Sequence, residues 1–270
     1  MPLAYDIAEH TLPNGLRVVV NEDHSVPAVA VNLWVDVGSR HEVPGRTGFA
    51  HLFEHLMFQG SAHVASGEHF AELMSHGGRL NATTWFDRTN YFETVPTHAL
   101  DLALWLEADR LASLELTQET LDNQRAVVLE EKRQRYDNVP YGDVLIHLIG
   151  LTFPEGHPYS HPTIGSMDDL AAADLDDVRA FFATHYAPGN AVLTIVGDVT
   201  VDSATARAAS YLGAVPSAPR PARPATEPLP PLTGLPRVEV SADVPADASY
   251  LTWRLPARDS GEFAAVELAL

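Results

Sequence analysis

The segment Gly48 to Phe58, GFAHLFEHLMF, constrains this chain more than any other. Two histidines four apart, with a glutamate between them, interrupt an otherwise apolar helical pattern. On a helix, residues i, i+3 and i+4 share a face, so His51, Glu54 and His55 point the same way. The neighbours Phe49, Leu52, Phe53, Leu56, Met57 and Phe58 require that helix to be largely buried. Burying three polar side chains without partners costs several kcal/mol. A metal ion satisfies all three. Two neutral imidazoles at this spacing can hold zinc, and the carboxylate beside them can take a proton from a water held there. The bland alternative is a histidine pair satisfied by solvent or core on an amphipathic helix. A pattern H-x-x-E-H arises by chance in roughly 1 in 20 chains this rich in histidine, so its context must decide.

A zinc site needs a third protein ligand. A long helix is expected from about Gln118 towards Gly150, and it carries the adjacent carboxylates Glu130 and Glu131 after an apolar run. Neighbours on a helix point about 100° apart, so only one of them can face a shared site. Beside Lys132 and Arg133, the same pair also reads as a solvated, salt-bridged face.

Composition narrows the rest. The chain has 270 residues and an apolar fraction of 46%, enough for one large or two modest packed domains. It has no cysteine, so a metal site must use histidine and carboxylate ligands. The formal charge of −19 argues against nucleic-acid and anionic-membrane partners. No apolar run approaches a membrane span. The start, Met1 to Asp6, has neither a basic region nor an apolar core, so no signal peptide is expected and a cytoplasmic location is the default.

Periodicity places strands at Leu16 to Asn21 and Ala28 to Val37, with Thr47 as N-cap of the histidine helix. A short helix follows from Gly67 to Ser75. Two strands are expected between Leu80 and Thr94, around Phe86-Asp87-Arg88. Helices are expected from Pro96 to Leu114, Asp174 to His185 and Ser203 to Leu212, with a loop from Phe153 to Gly165 and a buried strand at Ala191 to Val196. From Ala214 to Gly234 the chain is proline-rich and reads as a semi-rigid linker. Beyond it, Arg237 to Ser241 and Tyr250 to Leu255 read as strands and Phe263 to Leu270 as the start of a helix.

The motifs taken together resemble the M16 metallopeptidases: pitrilysin, insulin-degrading enzyme and the mitochondrial processing peptidase, and above all the smaller bacterial processing-peptidase-like members. Besides H-x-x-E-H, an inverzincin signature, the resemblance rests on Leu12 to Arg17, Gly38 to Glu42, Gly77 to Thr84 and Asp87 to Tyr91. It continues through His157-Pro158-Tyr159, Pro162 to Gly165, Tyr186 to Ala191 and Val196 to Asp198.

The resemblance implies an α+β fold: a half with a mainly antiparallel sheet packed by helices, followed by the start of a second similar half. It implies a zinc-binding domain over 1–213, a linker over 214–236 and the opening of a second domain over 237–270. One Zn2+ per chain would be held by His51, His55 and Glu131, with Glu54 as catalytic base. Gln124 stands where the family often has a supporting glutamate, and Glu130 is the ligand's neighbour. Asn81, Ala82 and Thr83 would bind a substrate peptide as an added strand. The alternative for them is an ordinary interior strand. His157 to Tyr159 would help shape the chamber, and the remaining histidines have no metal role. The implied activity is metalloendopeptidase cleavage of short or unfolded peptides, with a homo- or hetero-dimer partner supplying the second half of the chamber. The competing readings are a non-catalytic peptide-binding or scaffold subunit of the same family, and a zinc-stabilised interaction module with a closed four-ligand site.

Overall fold

A computed structural model describes residues 5–225 and 228–269. Parts of the N-terminal, linker and final-helix expectations, at 1–4, 226–227 and 270, lie outside these residues. Six strands form one sheet in the order β1-β2-β6-β3-β5-β4. They are β1 (Ile7–Thr11), β2 (Arg17–Glu22), β3 (Ala28–Val35), β4 (Arg79–Thr84), β5 (Thr89–Pro96) and β6 (Ala191–Gly197). Only β2 and β6 pair in parallel, so the sheet is largely antiparallel. In the central strand β3, Val29, Val31, Leu33 and Val35 are buried while Trp34 is exposed. That alternation belongs to a sheet with one face against a helical layer.

Nine helices are described: α1 (Phe49–Leu56), α2 (Glu68–Ser75), α3 (Leu100–Ser113), α4 (Gln118–Lys132), α5 (Val144–Thr152), α6 (Met167–Ala172), α7 (Leu175–His185), α8 (Val201–Leu212) and α9 (Gly261–Ala269). The helix α1 packs on β4 and β5, and α4 and α7 pack on α1. Phe53, fully buried, stacks on Phe181 of α7 with ring centroids 5.1 Å apart. Tyr91 of β5 donates to the Phe53 carbonyl at 3.1 Å, and its hydroxyl lies 2.9 Å from that of Tyr186. Behind it the buried guanidinium of Arg110 sits over the Tyr91 ring and pairs with the buried Glu107.

The structure corrects several local expectations. The single helix expected towards Gly150 is broken. After α4 comes one π-helical turn, Arg133–Asp137. Pro140 and a left-handed Tyr141 (φ 63°) then separate it from α5. Thr47 is not the N-cap of α1. That position is Gly48 (φ 92°), and its N–H and that of Ala50 donate to the two oxygens of Glu42 at 2.9 and 2.8 Å. Thr47 instead bonds Asp169 and Ser166, tying the loop to α6. No strand forms at Arg237 to Ser241 or Tyr250 to Leu255, because no strand among the described residues pairs with them. The edge strand β1 and the short helix α6 carry too little periodicity to be read. No helix among the described residues is long and apolar enough to cross a membrane.

The start of α1 is held by backbone contact as well. A Cβ on Gly165 (φ +70°) would lie 2.3 Å from Gly48 Cα. Gly165→Ala is therefore expected to lower stability by about 3 kcal/mol or more, from left-handed strain and overpacking together. Gly156→Ala, at φ +82° but with open space around it, should cost only the strain, about 1 kcal/mol. Equal shifts in melting temperature for the two variants would contradict the contact.

Candidate metal centre

Three donor side chains meet where α4 crosses α1. The Nε2 atoms of His51 and His55 lie 3.5 and 3.3 Å from one oxygen of Glu131. One donor atom from each of the three can be chosen so that all lie within 4.8 Å of one another. Ligands held about 2.1 Å from a tetrahedral ion are about 3.4 Å apart, so this donor set fits a zinc-sized cation. The cluster is capable of coordinating a metal. Among the described residues it is the one group of three or more His, Asp or Glu side chains with that property. A fourth protein donor would make the closed site of an interaction module, and no further His, Asp or Glu among the described residues joins it.

The carboxylates divide as helical geometry requires. Glu131 turns inward, its side chain 16% exposed, whereas Glu130 is 54% exposed and pairs with Arg133 and Gln134. The salt-bridged surface face is real at Glu130, while Glu131 reaches it only through Arg135. Gln124, two turns before Glu131, is buried on α4. Its amide brings no charge to the site. Arg135, one turn after Glu131, pairs with the second Glu131 oxygen at 2.6 Å. That partner is readable from i, i+4 spacing, but the expectation of an unbroken, salt-bridged helix hid it.

Protonation states follow from these surroundings. The bond from His55 holds the Glu131 carboxyl below its ordinary value, with the charge of Arg135 adding to it and burial opposing. Burial pushes His51 down to about 4, so it stays neutral, as a metal ligand must. Its Nδ1 is buried without a partner. Glu54 moves the other way: burial raises its carboxyl, opposed by a hydrogen bond from Thr84 at 2.5 Å.

Asn81, Ala82 and Thr83 lie on β4, which pairs only with β5 and so forms the sheet's edge among the described residues. β4 is paired along its length with β5, as an ordinary strand is, and its other side carries no strand among the described residues. The Ala82 N–H donates to the Asn81 side chain at 2.9 Å rather than to β5, and Arg88 donates to the Thr83 carbonyl at 2.9 Å. His157 to Tyr159 sit in the loop after α5. Tyr159 donates to Asp87 in the β4–β5 turn at 2.7 Å and accepts from Arg40 at 3.1 Å.

Comparison with known proteins agrees with this geometry. Residues 17–166 match the sequence profile described as Insulinase (Peptidase family M16), and residues 172–269 match the one described as Peptidase M16 inactive domain. The first match covers more than half of the chain, which belongs to the M16 family of zinc proteases. Among individual relatives, "Zinc protease PqqE" of Helicobacter pylori is 38% identical over 190 residues, 70% of this chain and 43% of that protein. The beta subunit of the mitochondrial-processing peptidase of Caenorhabditis elegans is 28% identical over 203 residues, 75% of this chain and 44% of that one. A protease structure from Helicobacter pylori superposes with TM-score 0.79 at 33% identity, covering 83% of this chain and 54% of that one. The first half of the periplasmic protease PqqL of Escherichia coli superposes with TM-score 0.73 at 25% identity, covering 82% and 50%. The chain thus spans about half the length of the relatives it matches. The default of a cytoplasmic location is corrected by the PqqL likeness, since that protease is periplasmic.

The division between the two carboxylates gives a direct test. Elemental analysis of purified protein should find one zinc per wild-type chain. Glu131→Gln should lose it or bind about 100-fold more weakly, and Glu130→Gln should retain it. No zinc in the reconstituted wild type would contradict the site.

Proposed function

We propose that this chain is the metal-bearing half of a zinc-dependent metalloendopeptidase acting on short or unfolded peptides. The observation that carries this reading is the meeting of His51, His55 and Glu131, with Glu54 beside them and bonded to the edge strand β4. One Zn2+ per chain would be held by the two imidazoles and one Glu131 oxygen. When bound, the ion supplies Lewis acidity, polarising the scissile carbonyl and acidifying a water.

The chain's own residues supply the rest. Glu54, raised by burial, takes the proton of the attacking water and delivers it to the leaving amine. His51 stays neutral through burial, and Arg135 keeps the second Glu131 oxygen occupied. The peptide adds to β4 as a further strand. Asn81 gives up the Ala82 N–H to it, and Asn81 and Thr83 flank it with side-chain hydrogen-bonding groups.

In domain terms, we read 1–213 as the peptidase half, 214–236 as linker and 237–270 as the opening of a second, similar half. A partner chain or a further domain would close the chamber over β4. The alternative reading is a non-catalytic peptide-binding or scaffold subunit of the same family. Peptidase activity of the zinc-loaded chain, measured alone and with an added second half, separates the two.

Glu54→Gln is expected to keep one zinc per chain and to lower the turnover of a fluorogenic peptide by about 1,000-fold. Retained hydrolysis would refute the base assignment. Ala82→Pro removes an N–H that points away from β5, so the ladder should survive. KM is expected to rise about 10-fold, one lost hydrogen bond's worth. An unchanged KM would argue against strand addition.

A further inference from the structure

The bond between Thr84 and Glu54 joins two parts of the site that the mechanism above treats separately. Thr84 is the last residue of β4, only 9% exposed, and its Oγ1 donates to Glu54 Oε2 at 2.5 Å. No other side-chain hydroxyl or amide bonds the Glu54 carboxylate among the described residues. Thr84 has a second property, which follows from strand parity. Successive residues of a strand turn their backbone groups to opposite edges. The hairpin closes with the Trp85 N–H donating to the Arg88 carbonyl at 2.8 Å, so Trp85 faces β5. Thr84 then faces the other way, as does Ala82, whose N–H meets Asn81 rather than β5. The backbone of Thr84 therefore belongs to the free edge while its side chain reaches under α1 to Glu54.

We propose that Thr84 is a positioning residue for Glu54, and that it couples peptide pairing on the β4 edge to the orientation of the base. This rests on the peptidase reading above. A peptide strand bonded to the backbone of Ala82 and Thr84 stiffens the same residue whose hydroxyl holds the carboxylate. A carboxylate buried beside α1 and without that donor can rotate about its terminal torsions, which are broad. A base displaced by even an ångström transfers protons far less well. The effect falls on kcat, because the peptide's own contacts with β4 are unchanged.

The test compares wild type, Thr84→Val and Thr84→Ser as full-length, zinc-loaded chains. Valine keeps the branched shape without the donor, and serine restores the donor. Thr84→Val should lower kcat about 30-fold with KM changed less than about 3-fold, and Thr84→Ser should restore most of it. Zinc affinity, read by competition with a chromogenic chelator, should stay within about 3-fold of wild type. Peptides long enough to pair along β4 should raise kcat over short ones in the wild type and not in Thr84→Val. A kcat within 2-fold of wild type, or a serine variant as impaired as the valine one, would overturn the proposal; so would loss of zinc, which would make Thr84 a structural support. Should Thr84→Val not fold, Thr84→Ala takes its place with the same expectations. If the wild type cleaves nothing, the peptidase reading fails by itself. The positioning claim is then decided by crystal structures, in which Glu54 should take one orientation in wild type and Thr84→Ser but leave β4 in Thr84→Val. An unchanged Glu54 would refute it.

Discussion

The carboxylate of Glu42 fixes where the histidine-bearing helix begins, and the rest of the site depends on that choice. Its side chain is fully buried, accepts the first free N–H groups of α1 and meets His161 at 2.9 Å. A carboxylate at this end also complements the helix dipole. Burial raises its carboxyl above the ordinary value, opposed by His161 and the two amide donors. Were α1 to start one residue later, every side chain on it would rotate by about 100° relative to the core. His51, Glu54 and His55 would leave the α4 side together, and Phe53 would leave α7. The loop after α5 adds two further restraints, His161 on Glu42 and Gly165 against Gly48. A stretch without regular structure thereby sets the position of the histidines in the cluster.

With α1 fixed, the two carboxylates acquire different chemistry from their surroundings. Glu131 is stabilised as an anion by the His55 bond and by Arg135, whereas Glu54 lies in a drier place and binds its proton more tightly. Pairs of titratable groups pushed in opposite directions are how a site can separate a charge-bearing role from a proton-transfer role, which is the division the proposed mechanism assigns to these two. The opposite shifts need no difference in residue type. They come from the His55 bond and Arg135 charge at Glu131 and from burial at Glu54.

The parts legible in the sequence were those encoded by local period. The alternation in β3 and the apolar stripe of α1 gave their elements directly, and the i, i+3, i+4 pattern set His51, Glu54 and His55 on one face. The choice between Glu130 and Glu131 was not legible from composition, because both lie in one charged run. It is decided by which side of α4 meets α1, a contact between segments some 75 residues apart. Thr84 was visible as part of a motif but not as a partner of Glu54, since strand register and edge position are tertiary facts. Thr47 looked like a cap by type, yet the cap came from Glu42, six residues upstream of Gly48. The apparent strands after Arg237 show the converse. Period-2 patterning promises a strand only where a neighbouring strand exists to complete its hydrogen bonds.

The edge strand places opposed demands on one short segment. An unpaired edge invites association with other chains, while strand addition requires that the same edge be open. In β4 the exposed backbone is covered by a group that can leave. The Ala82 N–H is occupied by the side chain next to it. That cover involves no β-ladder, so removing it costs one side-chain hydrogen bond rather than a strand pairing. An incoming backbone can repay that bond in kind, because it brings an acceptor for the Ala82 N–H. A folded protein whose own edges are paired has no such groups to offer. On the proposed reading, a guard of this kind would discriminate by backbone availability and favour unfolded segments without any requirement on their sequence.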